Sequence, residues 1–340
     1  MRVSSGSGID ERRGGRSNGR DMHRFFITSL AGLALTHAGL AADAAYQLEA
    51  DFIKPPPGKE TLGNSHGEVR VDSKGNIYVS VQDPGAGIQV YGPDGGFLKT
   101  LPLPPSLHGF VIVEDEGTEY LYGAVLGEAR VIKAKLDGEI VLEIPTSAFP
   151  ADKAGPKGLK LTNCDVAPNG DIYVVDGYGI DWIYQFDRSG KFIKAFGGQK
   201  GALGLKNCHK IFVDRRFEPT RLLLCDRGNN RMLHTDLDGN LIGVVADEGL
   251  RRPSSADFHG DLMCVAEIAG RVSVWDKEGR MVASLGVNDT EGQTNTPKVP
   301  PTDWRTGVVT SPHGVAFDRE GNVLEAEWNQ FGRVLKWTRK

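Results

Sequence analysis

Three of the eight histidines, His108, His209 and His313, stand 101 and 104 residues apart in the chain. Each opens a run of β-forming residues: His108-Gly-Phe-Val-Ile-Val, His209-Lys-Ile-Phe-Val-Asp and His313-Gly-Val-Ala-Phe-Asp. If these runs are inner strands from alternate blades of a six-fold ring, they sit about 120° apart and their imidazoles converge on the axis. Three neutral imidazole nitrogens that leave one position open form the ligand set of a catalytic zinc ion. Such an ion polarises a substrate oxygen or lowers its pKa. The matching register of the other repeats carries His66, Asp165 and Ser255, which completes a predicted ring of six. The alternative is that histidine before an apolar strand only hydrogen-bonds between neighbouring blades, and spacing alone leaves both readings open.

The elements that would position these residues are repeats. Asn163–Met232 contains two copies of one pattern. The first runs from Asp165-Val-Ala-Pro-Asn-Gly-Asp-Ile-Tyr-Val-Val-Asp-Gly-Tyr through Trp182-Ile-Tyr-Gln-Phe-Asp to Ser189-Gly-Lys-Phe-Ile-Lys. The second runs from His209 through Leu222-Leu-Leu-Cys-Asp-Arg-Gly-Asn-Asn-Arg-Met to Leu237-Asp-Gly-Asn-Leu-Ile. Alternating apolar residues, broken by Asn-Gly, Ser-Gly and Asp-Gly turns, read as four short strands per copy. A period of roughly 40–50 residues built this way is a propeller blade. Six such repeats open near His66, His108, Asp165, His209, Ser255 and His313, so the fold class is all-β, a six-bladed propeller over residues 45–340. The sixth repeat stops after three strands, and an exposed edge invites strand pairing. The segment Tyr46–Ile53 is predicted to supply the missing strand and close the ring. The long connections Pro145–Leu161 and Asn288–Ser311 are predicted to lie on one face, with Trp304 either a lid over the site or a cover for apolar surface.

Residues 1–21 are rich in Gly, Ser and Arg without apolar periodicity, and read as disordered or as a misassigned start. Residues 22–44 combine Met22-His-Arg, the apolar run Phe25–Ala42 and small residues up to Ala44, the pattern of a cleaved secretory signal. An exported protein, periplasmic or extracellular, with no stable membrane span after cleavage is therefore expected. The formal net charge is −4 for the whole chain, and removal of residues 1–44 leaves 34 basic and 40 acidic side chains. That balance argues against nucleic-acid and anionic-membrane partners; a monomer acting on a small molecule or peptide is the separate expectation. Export permits disulfides. Cys164 and Cys208 precede Asp165 and His209 in the aligned repeats, so a bridge between them and buried free thiols are both open readings.

The turns Asp176-Gly-Tyr178 and Asp226-Arg227-Gly-Asn-Asn-Arg231, with the repeated His openings, resemble the peptidyl-α-hydroxyglycine α-amidating lyase family and its exported bacterial relatives with NHL-type repeats. The resemblance covers most of His66–Trp337. It implies a six-bladed propeller with a central zinc held by His108, His209 and His313. The implied reaction cleaves a peptidyl-α-hydroxyglycine to a peptide amide and glyoxylate. Tyr178 matches the family's catalytic tyrosine and Arg227 one catalytic arginine. The position of the other catalytic arginine is Gln82, a channel-lining candidate together with His66 and Asp165. The family's structural calcium uses an aspartate after the last zinc histidine, where this chain has Gly314, so calcium is only weakly implied. Its half-cystine in the Asp-Gly-Tyr turn is Gly179 here. A lactonase-type calcium propeller, which uses Glu, Asn and Asp at the hub, is disfavoured by the histidine-rich ring. The other reading is a non-catalytic propeller that binds a peptide, glycan or protein.

Overall fold

The structure, a computed structural model, describes residues 45–246 and 249–340. The expectations for residues 1–21 and for a signal segment over 22–44 lie outside the described residues. No helix among the described residues is long and apolar enough to cross a membrane.

Among the described residues, twenty-four strands form six sheets of four antiparallel strands each. The inner strands are Val69–Val71, Leu107–Asp115, Asn163–Val166, Cys208–Asp214, Pro253–His259 and Pro312–Phe317, which we number as blades 1 to 6. A recurrent turn explains much of the local folding. In Asp72-Ser-Lys-Gly-Asn76, the Asp72 carboxylate accepts the amides of Lys74 and Asn76 at 2.9 and 2.8 Å. Gly75 takes the left-handed φ of 85° that this turn requires. Asp187, Asp236, Asp276 and Asp318 repeat the arrangement in blades 3 to 6.

Second strands such as Ile77–Val81 and Val323–Glu327 are buried along their whole length, because each blade is covered on both faces by its neighbours. Val323, Leu335 and Trp337 pack against Val272, Val274 and Leu285 of blade 5. The intervening Leu324, Ala326 and Val334 pack against Val69, Ile77 and Val79 of blade 1. The core is thus a set of wedges between blades. Tyr46–Glu49 pairs antiparallel with Val334–Arg339, with Tyr46 opposite Arg339 and Glu49 opposite Lys336. The first strand of the chain therefore supplies the fourth, outer strand of the last blade and covers the edge of Val334–Arg339.

Trp304 packs at this seam. Its Nε1 donates to Val299 O at 3.1 Å, and the Arg333 guanidinium lies 5.0 Å from its ring. It shares a surface cleft with Leu48, Ile53 and Pro55, so it covers the closing strand and is not a lid over the histidines. All four cysteines are buried free thiols. The expected alignment of Cys164 with Cys208 fails because Cys164 sits opposite Val174 within blade 3, level with Ile211 of blade 4. The two sulfurs belong to different wedges.

Asp214 ends the inner strand of blade 4 with a bidentate pair to Arg216, at 2.9 and 2.7 Å, and accepts His234 Nε2 at 2.9 Å. Burial alone would raise its carboxyl, but these partners hold it at about 2. A depressed carboxylate stabilises the fold above its unfolded pKa, and that stability is lost as pH falls from about 4 to about 2. The size is on the order of 2 kcal/mol. Urea unfolding at pH 7 should show Asp214→Asn weaker than the parent by about that amount, with the gap closing at pH 2.5. A gap that is constant with pH would contradict the assignment.

Candidate active site

His108, His209 and His313 each sit at a β-bulge. In blade 4, Cys208 pairs with Asp226 and Lys210 with Cys225, which leaves His209 as the extra residue. Blades 2 and 6 skip His108 and His313 in the same way, and blade 5 skips Ser254. A bulge turns its extra residue out of the alternation and re-aims the side chain. Here it aims three imidazoles at the axis.

Each imidazole is then fixed by a backbone carbonyl of the next blade. Nδ1 of His108 lies 2.8 Å from Thr162 O, Nδ1 of His209 lies 2.6 Å from Ser254 O, and Nδ1 of His313 lies 2.7 Å from Gly67 O. A carbonyl can only accept, so each Nδ1 carries the proton. Burial drives all three pKa values well below the usual histidine range, so the rings are neutral. A neutral ring protonated at Nδ1 presents a bare Nε2 lone pair. The ring centroids lie 4.6 Å (His209–His313), 4.9 Å (His108–His313) and 5.1 Å (His108–His209) apart.

A fourth imidazole joins them. His66 lies 5.0 Å from His108 and 4.7 Å from His313, ring to ring. Burial, then the charges of Arg227 and Lys210, lower its pKa to about 4. The nitrogens of His66, His108 and His313 lie within 4.8 Å of one another. That trio differs from the predicted one, since it contains His66 in place of His209. We favour His108, His209 and His313 as the ligand set because the same backbone clamp orients all three.

The Tyr178 hydroxyl stands in the middle, 3.0 Å from His209 Nε2, 3.3 Å from His108 Nε2 and 3.4 Å from His66 Nε2. His313 Nε2 is buried with no partner. The hub therefore holds three bare lone pairs and one hydroxyl proton to satisfy them. Buried acceptors left short of donors are the exception in folded proteins, and a cation is what this donor set fits.

The Tyr178 turn is shaped by glycines and carboxylates. Gly177 N donates to Thr162 Oγ1 at 3.2 Å, and a Cβ on Gly177 would meet Cys208 O at 2.2 Å. Gly179 faces the Asp176 carboxylate, which would lie 2.1 Å from any Cβ there. The carboxylate needs that space because it accepts Lys160 N and Ile180 N at 2.5 and 3.0 Å. Asn207 ties the two functional turns together. Its Nδ2 donates to Gly177 O at 2.7 Å, and its Oδ1 accepts Arg227 Nε at 2.8 Å. The Arg227 guanidinium consequently lies 5.4 Å from the Tyr178 ring. Gln82 donates its Nε2 to His66 O at 3.1 Å, so it supports His66 and carries no charge.

Asp165 and Ser255 do not share the level of the histidines. The bulges shift the register, so the residues level with His108, His209 and His313 are Gly67, Thr162 and Ser254. The Asp165 carboxylate is taken up by Val166 N and Val213 N at 2.7 Å each, between blades 3 and 4. Ser255 sits one step deeper and donates to Glu68 at 2.9 and 3.1 Å.

Glu68 belongs to a charged plug that sequence reasoning missed. Lys210 Nζ meets Glu68 Oε2 at 2.7 Å, and both side chains are fully buried. Arg70 adds a second pair to Glu68 at 3.1 Å and donates to Phe110 O, Val315 O and Ala256 O of three other blades. Lys210 Nζ also donates to His313 O at 3.2 Å and Gly67 O at 3.4 Å. A carboxylate and two carbonyls are the oxygens a calcium ion would take, and here an ammonium takes them. A Cβ on Gly314 would lie 2.9 Å from both Glu68 Cα and Val69 N, so an aspartate does not fit at 314 without moving the inner strand of blade 1. The residues present do not fit calcium.

No family model matches the chain, and no curated protein matches it. Among solved structures it is similar to a streptogramin B lyase, at 14% identity and a TM-score of 0.56, over 88% of this chain and 99% of that one. It is similar to the virginiamycin B lyase of Staphylococcus aureus at 15% identity and a TM-score of 0.57, over 87% and 100%. A gluconolactonase from Xanthomonas campestris gives 12% identity and a TM-score of 0.57, over 82% and 89%. At these identities the likeness shows the six-bladed propeller fold. These three are lyases and a lactonase, a chain from a nidogen/laminin complex is also similar at 14% identity and a TM-score of 0.52, and the predicted amidating lyase resemblance is not singled out among them.

Breaking a buried ion pair by removing one partner costs about 3–5 kcal/mol. Lys210→Met should therefore unfold at lower denaturant than the parent, and Glu68→Gln in the same chain, which takes from buried Arg70 its 3.1 Å partner, should unfold lower still. A Lys210→Met protein of parental stability would mean that the plug adds nothing.

Proposed function

We propose that this propeller is a metal-dependent carbon–nitrogen lyase, with His108, His209 and His313 holding zinc and a peptidyl-α-hydroxyglycine-type carbinolamide as substrate. The observation that carries the metal is the deficit of protons at the hub, with the unpartnered His313 Nε2 its clearest sign. The lyase class draws on the resemblance in the Tyr178 and Arg227 turns and on the lyase neighbours among propellers of this shape. The same reading takes the protein as exported and monomeric, working in the periplasm or outside the cell.

Zinc bound here would supply Lewis acidity to a substrate oxygen. The chain's own groups do the rest. Arg70, Glu68 and Lys210 block the channel beneath the histidines, so a substrate enters and leaves by the Tyr178 side. Tyr178 is placed to give its hydroxyl proton to the departing amide nitrogen as it takes the proton of the carbinol hydroxyl in exchange. The C–N bond breaks as the C–O bond becomes a carbonyl, which yields amide and glyoxylate. Arg227, anchored through Nε by Asn207, keeps its other nitrogens for a substrate carboxylate.

Metal analysis of purified protein should find about one zinc per chain. His209→Ala should lose most of it and His66→Ala should keep it. The reverse result would replace His209 by His66 in the ligand set, and a metal-free parent would sink the proposal. Glyoxylate release from α-hydroxyhippurate should fall by about 100-fold or more in Tyr178→Phe with zinc content unchanged. No release from a zinc-loaded parent would leave a binding role or another substrate.

A further inference from the structure

Two guanidinium groups on the Tyr178 side of the hub are left with buried, unpartnered nitrogens. Arg227 is only 7% exposed, and its Nη1 is buried without a partner. Arg252, from the entry to blade 5, has its Nε buried without a partner. Their neighbours in sequence are paired, Arg231 with Asp226 at 2.7 Å and Arg251 with Asp289 at 2.6 Å. Arg227 and Arg252 form no such pair with a described carboxylate. Arg227 is buried and Arg252 half-buried, and a buried guanidinium nitrogen without an acceptor is costly, so the two point to a counter-ion that comes and goes.

The backbone holds Arg252 in place. Its φ of 61° lies in the left-handed region, where a non-glycine residue persists only if its surroundings over-determine it. Arg252 N donates to Asn230 Oδ1 at 2.9 Å, and Arg252 O accepts Ile268 N at 3.1 Å and Ser254 Oγ at 3.4 Å. Ser254 is the residue whose carbonyl clamps His209. Arg252 is thus built onto the same backbone that positions the hub. Asn230, which holds Arg252 N, also closes the Arg227 turn by donating its own amide to Arg227 O at 3.2 Å, so the two arginines start from adjoining backbone. Burial, then the charge of Arg227, lowers the pKa of Arg252.

We propose that Arg227 and Arg252 form a two-blade clamp for a carboxylate-bearing ligand, with Arg252 the specificity-determining residue that selects anions over neutral analogues. The clamp rests on the substrate site proposed above being the hub, and it does not depend on zinc or on turnover. One guanidinium can bind a carboxylate in bidentate fashion, and the bound anion offsets the repulsion between the two guanidiniums across the mouth.

Calorimetric titration of the full chain with hippurate and with its neutral amide, hippuramide, tests this in zinc-loaded and in chelator-treated protein. The parent should bind hippurate at least about ten-fold more tightly than hippuramide in both forms. Arg252→Gln should weaken hippurate by about ten-fold or more and leave hippuramide and the thermal midpoint unchanged. Arg252→Lys should recover part of the preference. Equal hippurate affinity in the parent and Arg252→Gln, no preference in the parent, or no hippurate binding at all would overturn the clamp. Loss of glyoxylate release with the preference intact would overturn the lyase reading alone.

Discussion

The hub depends on one interaction made three times, the hydrogen bond from a histidine Nδ1–H to a backbone carbonyl of the next blade. It sets the tautomer, and the tautomer decides which nitrogen faces the axis. It also joins blade 2 to 3, 4 to 5 and 6 to 1, so the chemistry of the centre and the closure of the ring share the same bonds. The acceptors are carbonyls, so no side-chain substitution can remove them without moving the strand. This is why Thr162, Ser254 and Gly67, which have little chemistry of their own, belong to the site.

Charge is layered along the axis. At the mouth, Arg227 and Arg252 pair with no described carboxylate, while the neutral imidazoles of the next layer share one Tyr178 hydroxyl and leave His313 Nε2 without a partner. Below them Glu68 is saturated by Lys210, Arg70 and Ser255. The lowest layer is therefore electrically complete and mechanically closed, whereas the upper two call for an anion and a cation. A ligand that carries a carboxylate and an oxygen able to face the histidines would satisfy both at once. Burial strengthens each of these interactions, because the effective dielectric at the hub is far below that of water.

The sequence by itself determined the blades. Asn-Gly, Ser-Gly and Asp-Gly turns and two-residue alternation are local signals, and both act within a few residues, so six repeats were legible, as was a closing strand within Tyr46–Ile53, of which Tyr46–Glu49 pairs. The histidines His108, His209 and His313 were legible too, because each opens an apolar run. Only the tertiary structure decided the rest. A β-bulge adds one residue to one strand and shifts the level of everything before it, and alternation alone does not reveal where it falls. The shift takes Asp165 and Ser255 out of the histidine level, puts Thr162 and Ser254 there, and separates Cys164 from Cys208. Arg252, Asn207, Lys210 and Glu68 were unreadable for a different reason. Each gains its role from partners in other blades, and sequence distance carries no information about which loops meet at the axis of a closed ring.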